Sequence, residues 1–291
     1  MGFLKKFFGG ETDPEEEKKQ ADERNFDLLK YDGVKAMRMG QFEYAVKCFR
    51  EALKTKDDLE VRDHLWNALM RQGLFDEALT ELDEIITLQP DNIEAVLQAA
   101  NAAFMKEDYK TMQAYCEQAL NIDTEQPIAY LLYAKAAIGQ DDLVQAIVRL
   151  TKSISLEERL IEPRLLRAQT LMRMGDLKEA EADVNWLASH TEDNEDVILL
   201  HARLEAAKGN ADAAIDLYGK VIDVNPFSVE AYRERGSLHL AKGDKAGAEE
   251  DMKKVLELNP EEMADVNGEY SAEGIERKTR QAYSMMNPFG I

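Results

Sequence analysis

One spacing limits what this chain can fold into. Gly73, in RQGLFDEAL, is followed at steps of 34 residues by Glu107, Asp141, Gly175, Gly209 and Gly243, and Gly40 precedes it by 33. A gapless period of this length means one supersecondary unit repeated, each copy burying its apolar face against its neighbours. Other columns keep the register. Five residues after the turn position stand Ala45, Ala78, Met112, Ala146, Ala180, Ala214 and Ala248. Seven before it stand Gly33, Trp66, Ala100, Ala134, Ala168, Ala202 and Gly236, where small side chains let two helices approach closely. Pro90, Pro226 and Pro260 fall seventeen after it, in the place of a following helix's first turn. Val61, Leu65 and Leu69, then Ala78, Leu82, Ile85 and Ile86, recur at helical spacing. Each unit therefore reads as helix, tight turn, helix, and no stretch alternates as a strand.

These columns resemble the tetratricopeptide repeat, with its W-x2-L-G-x2-Y, A-x3-F and P pattern over 34 residues. Departures are local: Trp66 sits in the small-residue column, Met112 in the alanine column, and Asp57, Thr124, Glu158 and Glu192 replace the proline. The resemblance implies an all-α, right-handed superhelical solenoid of seven helix-turn-helix units, and a cytoplasmic scaffold of bacterial type. The expected units are 26–58, 59–92, 93–126, 127–160, 161–194, 195–228 and 229–262.

The ends depart from the period. Asp13-Pro14 followed by Glu15, Glu16 and Glu17 is a helix start, so the first helix is expected to extend from Pro14 to about Met39, adding 13–25 to the repeats. After Asn267-Gly268, a helix near 271–285 is the candidate end cap within a C-terminal segment 263–291. Residues 1–12 are expected to be a flexible amphipathic segment. Phe3, Leu4, Phe7 and Phe8 would cover one arc of a helical wheel, with Lys5 and Lys6 opposite. Burying those four side chains yields at most ~8 kcal/mol, and ordering the segment costs about as much. The two lysines add ~2 kcal/mol at an anionic surface, so one copy would bind a membrane weakly.

The net charge of −21, from 57 acids against 36 Lys and Arg, argues against nucleic-acid binding. Cys48 and Cys116 form no disulfide framework and read as buried thiols. No apolar run reaches the length of a membrane span. The expected location is the cytoplasm, or peripheral to the inner face of the membrane. His64, His190, His201 and His239 show no ligand spacing, and no nucleophile or phosphate-loop motif is present. Neither a catalytic site nor a metal or cofactor site is expected, and the chain is read as a non-enzyme.

A solenoid binds through its concave surface, and the resemblance implies that each unit's first helix lines it. The five lining columns hold 35 residues, of which Lys30, Arg38, Arg71, Lys135, Arg173, Arg203 and Arg233 are basic and only Asp63 and Glu234 acidic. A basic groove in an acidic protein would attract acidic partner segments. The column just outside holds Asp27, Glu60, Glu94, Glu162, Asp196 and Glu230, which would partly cancel it. His64, Asn67, Arg71, Gln98 and Asn101 are placed to hydrogen-bond an extended peptide. Leu131 with Leu132, Leu165 with Leu166, and Leu199 with Leu200 would form an apolar floor beyond what core packing uses. Met37, Met70, Met105 and Met172 add adaptable surface. The carboxylate-clamp pattern of some tetratricopeptide domains fails, because Val34 or Asp63 stands where Asn or Lys is needed.

The leading expectation is a non-catalytic scaffold that takes a peptide or helical segment of a protein partner, with acidic and apolar residues, into this groove. Alternatives are a membrane-peripheral tether using Met1–Phe8, a regulatory subunit of an enzyme complex, and self-association.

Overall fold

The structure, a computed structural model, describes residues 14–259. The chain forms two compact units, Met1–Asp142 and Leu143–Ile291. The first contains α1 (Pro14–Arg38), α2 (Phe42–Thr55), α3 (Leu59–Arg71), α4 (Phe75–Leu88), α5 (Ile93–Met105), α6 (Tyr109–Ile122) and α7 (Pro127–Gly139). The second contains α8 (Leu143–Leu156), α9 (Ile161–Arg173), α10 (Leu177–His190), α11 (Glu195–Ala207), α12 (Ala211–Val224), α13 (Val229–Ala241) and α14 (Lys245–Leu258). The described residues contain helices and no strand, in the all-α repeat architecture that the period implies. The unit boundary falls between the two helices of the fourth repeat, a division that the period alone does not mark.

The periodic glycines act at the helix ends. Gly40, Gly73, Gly175, Gly209 and Gly243 all have φ between 71° and 82°. At Gly73 the amide donates to the Met70 carbonyl (3.1 Å) and Leu74 donates to Leu69 (3.0 Å), the paired bonds of a Schellman stop. The same turn is forced on two L-residues, Glu107 (φ 57°) and Asp141 (φ 60°). Starts are capped by side chains: Asp58 accepts from the Val61 amide, Asn92 from Ala95, Asp108 from Thr111 and Asn194 from Val197, each at 3.1 Å. The Gly33 column is tight, since a Cβ there would lie 2.4 Å from the Phe49 ring.

Within the first unit two buried clusters, one from Phe26 through Phe49, Leu65 and Leu69 to Ala78 and one from Leu82 to Met112, Cys116 and Tyr133, are both packed by the half-buried Trp66 and Met70. Met112 fills its alanine column fully buried, and both cysteines are buried free thiols. First helices touch one another: α1 meets α3 and α5 meets α7 in the first unit, and α9 meets α11 in the second. No pair of second helices approaches as closely within either unit, so each stack curves with its first helices inside.

The second unit contains polar locks inside its core. Arg167 donates from Nε and Nη2 to the two oxygens of Asp183, both at 2.7 Å, joining α9 to α10. Arg235 and Asp251 repeat this pair between α13 and α14, at 3.0 and 2.6 Å. Both aspartates are buried. Between them, Glu234 accepts from Arg203 and from the Tyr218 hydroxyl (2.7 Å), tying α11, α12 and α13 together.

Candidate functional site

The inner face of the first unit is built by α1, α3, α5 and α7. Helical spacing brings three columns of each helix to this face. The column six before the turn holds Val34, Asn67, Asn101 and Lys135; the next inward-facing column holds Met37, Met70, Phe104 and Ile138; the edge column holds Arg38, Arg71, Met105 and Gly139. Asn67 and Asn101 are half-buried, and their side-chain amides have no partner among the described residues. Leaving a half-buried amide unpaired forgoes hydrogen bonds that a ligand can supply. Arg38 and Arg71 are exposed and also have no partner among the described residues. Their place in the last turn suits a cation independently of any ligand. Phe104 and Met105 are 37% and 54% exposed, and Tyr31 is 66% exposed. The Lys135 ammonium lies 5.6 Å from the Phe104 ring centre.

Lys30 and Arg203, two of the expected basic residues, are paired with carboxylates. Lys30 donates to Glu60 at 2.5 Å and to Asp58 at 3.4 Å. Burial works against its ammonium, but the Glu60 hydrogen bond and the field of Asp58 outweigh that and raise its pKa. Burial likewise opposes the Asp58 carboxylate, and the Val61 amide and Lys30 outweigh it, holding its pKa below the ordinary value. Arg203, in the second unit, donates to Glu234 and to Glu230 at 2.6 Å; these acids outweigh its burial and raise its pKa. At both places the expected basic stripe is cancelled by the outer acidic column, the partial cancellation that the sequence indicated. Glu60 and Glu230, from the column just outside, neutralise the stripe there.

A second correction concerns the leucines. Leu131, Leu132, Leu199 and Leu200 are buried at 3–8% exposure. In α7 the apolar residues surround the helix, with Ala129, Tyr133, Ala134, Ala136 and Ala137 also buried, so both leucines serve packing. Leu165 and Leu166 alone of the three pairs are half-exposed. Met172 is also buried, while Met37 and Met70 are half-buried. His64 is half-buried and stacks on Phe49 at 5.6 Å. Gln98 donates to Glu94 of its own helix at 2.7 Å, and Arg173 is exposed. Phe3, Leu4, Lys5, Lys6, Phe7 and Phe8, the expected end cap and the NPFGI tail lie outside the described residues.

Among the described residues no group of three His, Cys, Asp or Glu is placed to hold a metal, and no helix is long and apolar enough to cross a membrane. The second unit has a pocket lined by Thr191, Val197, Ile198, His201, Leu217 and Lys220 among others. It opens where His201 and Leu217 occupy the repeat positions that Arg167 and Asp183 fill one unit earlier. Burial lowers the His201 pKa, and the opposing field of Glu205 does not compensate.

The inner face of the first unit thus combines amides and guanidinium groups without a partner among the described residues and exposed apolar side chains. That set can bind a polar backbone and carboxylates while covering apolar groups. Comparisons with known proteins agree on the fold. A family model described as tetratricopeptide repeat matches residues 199–262. The chain is similar to "Protein CTR9 homolog" of Arabidopsis thaliana, 23% identical over 241 residues, 76% of this chain and 21% of that one. It therefore spans about a fifth of the length of that curated relative. A tetratricopeptide repeat protein from Parabacteroides merdae is similar in structure at TM-score 0.68 and 19% identity, covering 90% of this chain and 100% of that one. So is YrrB, described as a TPR protein with an unusual peptide-binding site, at TM-score 0.52 and 14% identity, covering 68% and 97%. At these identities the likeness is one of fold.

Proposed function

We propose, from the premise that this chain is a tetratricopeptide repeat protein, that it is a non-catalytic protein-interaction scaffold whose first unit binds an extended peptide of a partner on its inner face. The observation that carries this reading is the pair Asn67 and Asn101. They stand at equivalent positions of successive repeats, half-buried, with amides that no described residue uses. An extended peptide backbone offers a carbonyl and an N–H at every residue, and each Asn amide can meet both. The exposed side chains of Phe104, Met105 and Tyr31 supply apolar contact area beside them. YrrB, which shares the fold, is described as having a peptide-binding site, and that supports the class of ligand. The seven-repeat division 26–262 is the scaffold this reading assumes.

The test is selection from a random peptide library on the full chain. Selected peptides are expected to lose about tenfold or more in affinity for Asn67→Leu/Asn101→Leu, the cost of two lost hydrogen bonds at ~1 kcal/mol each. Equal binding by the double variant would reject the site. Circular dichroism of the variant at 222 nm checks that its helices are retained.

A further inference from the structure

One helix–helix contact recurs along this chain, and α1 presents one side of it uncovered. In each repeat after the first, the first helix packs on the second helix of the repeat before it: α3 on α2, α5 on α4, α7 on α6, α9 on α8, α11 on α10 and α13 on α12. Among the described residues no helix precedes α1. Twelve residues before the turn, Val61, Ala95, Ala129, Pro163, Val197 and Ala231 are all buried, whereas Leu28 at the same position is 58% exposed. Val61 clusters there with Phe49 and Ala52 of α2, and Val197 with Val184 and Leu187 of α10. Five before the turn, Ala68, Ala102, Ala136, Thr170 and Leu204 are buried, while Lys35 is exposed with no partner among the described residues. One before it, Lys106, Gln140, Lys208 and Lys242 bond to the preceding second helix at Asp76, Gln113, Glu181 and Asp212. Met39, in that column, is 61% exposed. Tyr31 borders both this face and the inner face; in its column His64 stacks on Phe49 of the preceding second helix.

Leu28, Tyr31, Asp32, Lys35 and Met39 recur at i, i+3, i+4, i+7 and i+11, which is one stripe of a helix about 100° wide. Met39 follows the last residue of α1 and continues its turn, its amide donating to the Lys35 carbonyl at 3.2 Å. The six internal contacts show that such a stripe takes a helix as its cover. The order of residues along it identifies that helix. Apolar, acid, base and apolar groups follow one another, and the same order read backwards is its own complement. A two-fold axis crossing α1 level with the Gly33–Val34 bond lays the α1 of a second copy antiparallel to it. Leu28 then stands opposite Met39 of the second copy, and Asp32 opposite Lys35 of the second copy, each contact made twice. The charge of −21 on each copy opposes approach at long range, so the paired Asp32 and Lys35 select this register over others. We propose that two copies of this chain associate through their α1 helices as this antiparallel pair. The inference is independent of the peptide reading, since Asn67 and Asn101 belong to α3 and α5.

Sedimentation velocity of the full chain tests this, at concentrations up to about 100 μM and at about 0.15 M salt, where charges more than ~8 Å apart are largely screened. A monomer–dimer equilibrium is expected. Asp32→Lys and Lys35→Asp each set like charges opposite one another at both contacts, and each is expected to weaken the dimer by about tenfold or more. Mixed in equal amounts, these two variants are expected to form a mixed dimer of parental affinity, because each then meets the opposite charge. Leu28→Glu is expected to weaken the dimer as well. Circular dichroism at 222 nm checks that each variant keeps its helices. A monomer at every concentration overturns the proposal. So does association that none of the three substitutions changes, or a mixture no tighter than its components. Growth past the dimer would mean head-to-tail stacking and also overturns it. If the chain is monomeric and Phe7→Glu/Phe8→Glu makes it dimerise, the chain's own first residues cover α1, and the second-copy proposal is overturned.

Discussion

The Arg167–Asp183 pair gives the sharpest energetic prediction of the fold. Asp183 is 3% exposed and Arg167 20% exposed by side chain, with both carboxylate oxygens accepting at 2.7 Å and Arg164 at 3.6 Å from the same carboxylate. Asp183→Ala removes two charge-assisted hydrogen bonds and leaves two largely buried guanidinium groups without their carboxylate, Arg167 keeping only its bond to the Thr151 hydroxyl. Breaking one partner of a buried pair costs about 3–5 kcal/mol. Arg167 retains a fifth of its exposure and can turn partly to water, so the lower end applies, ~3 kcal/mol. Arg167→Met/Asp183→Leu removes both charges and keeps the volume, and is expected to lie within ~1 kcal/mol of the parent. The chain has two tryptophans, Trp66 in the first unit and Trp186 in the second. Trp186 lies on α10 with the Arg164 guanidinium 4.0 Å from its ring, so its fluorescence reports on this region. Urea unfolding in the Trp66→Phe background, followed by emission, measures the parent and both variants. A cost below ~1 kcal/mol for Asp183→Ala would show that the pair behaves as a surface ion pair and refute the reasoning.

Three further outcomes follow from particular residues. Glu107 occupies a left-handed turn at φ 57°, so Glu107→Gly should raise stability by about 0.5–1 kcal/mol while Gly73→Ala lowers it by ~1; urea midpoints read by Trp66 emission decide both. Gly33→Ala would push its new methyl into the Phe49 ring and should cost about 1–3 kcal/mol, whereas a change under 0.5 kcal/mol would show that the α1–α2 contact gives way easily. His201 has a pKa lowered by burial, so its folded state favours the neutral ring. Its contribution to stability is complete above the unfolded value near 6.5 and is lost as pH falls through the lower folded value. The melting temperature should therefore drop between pH 7 and pH 5, and less so in His201→Gln; identical slopes would remove His201 as the cause.

The fold was readable because one turn chemistry recurs at one spacing. The turn column carries the left-handed φ even at Glu107 and Asp141, where the residue type gives no hint of it. The candidate site was readable in part. Column counting put Asn67, Asn101, Arg38 and Arg71 on the first helices, where the structure has the two amides half-buried and the two guanidinium groups exposed. It misjudged Lys30 and Arg203, because their sign depends on acids about thirty residues away on the next first helix. Glu60 and Glu230 were visible as an acidic column, but only the packed helices show that they reach the basic one. Two of the leucine pairs, Leu131 with Leu132 and Leu199 with Leu200, were misplaced for a related reason. A helix flanked on both sides buries more than one stripe, and sequence periodicity cannot count a helix's neighbours. The Arg–Asp locks were overlooked although a signal existed: Arg167 and Arg235 each precede an aspartate by 16 residues and stand two repeats apart.

The central claim is that Asn67 and Asn101 grip a partner's backbone. Nitrogen-resolved NMR of their side-chain amide groups, assigned through Asn67→Leu and Asn101→Leu and followed during titration with a library-selected peptide, tests it most directly. Both amide signals are expected to shift together and saturate with the bound fraction. Saturation of binding with both signals unmoved would contradict the account.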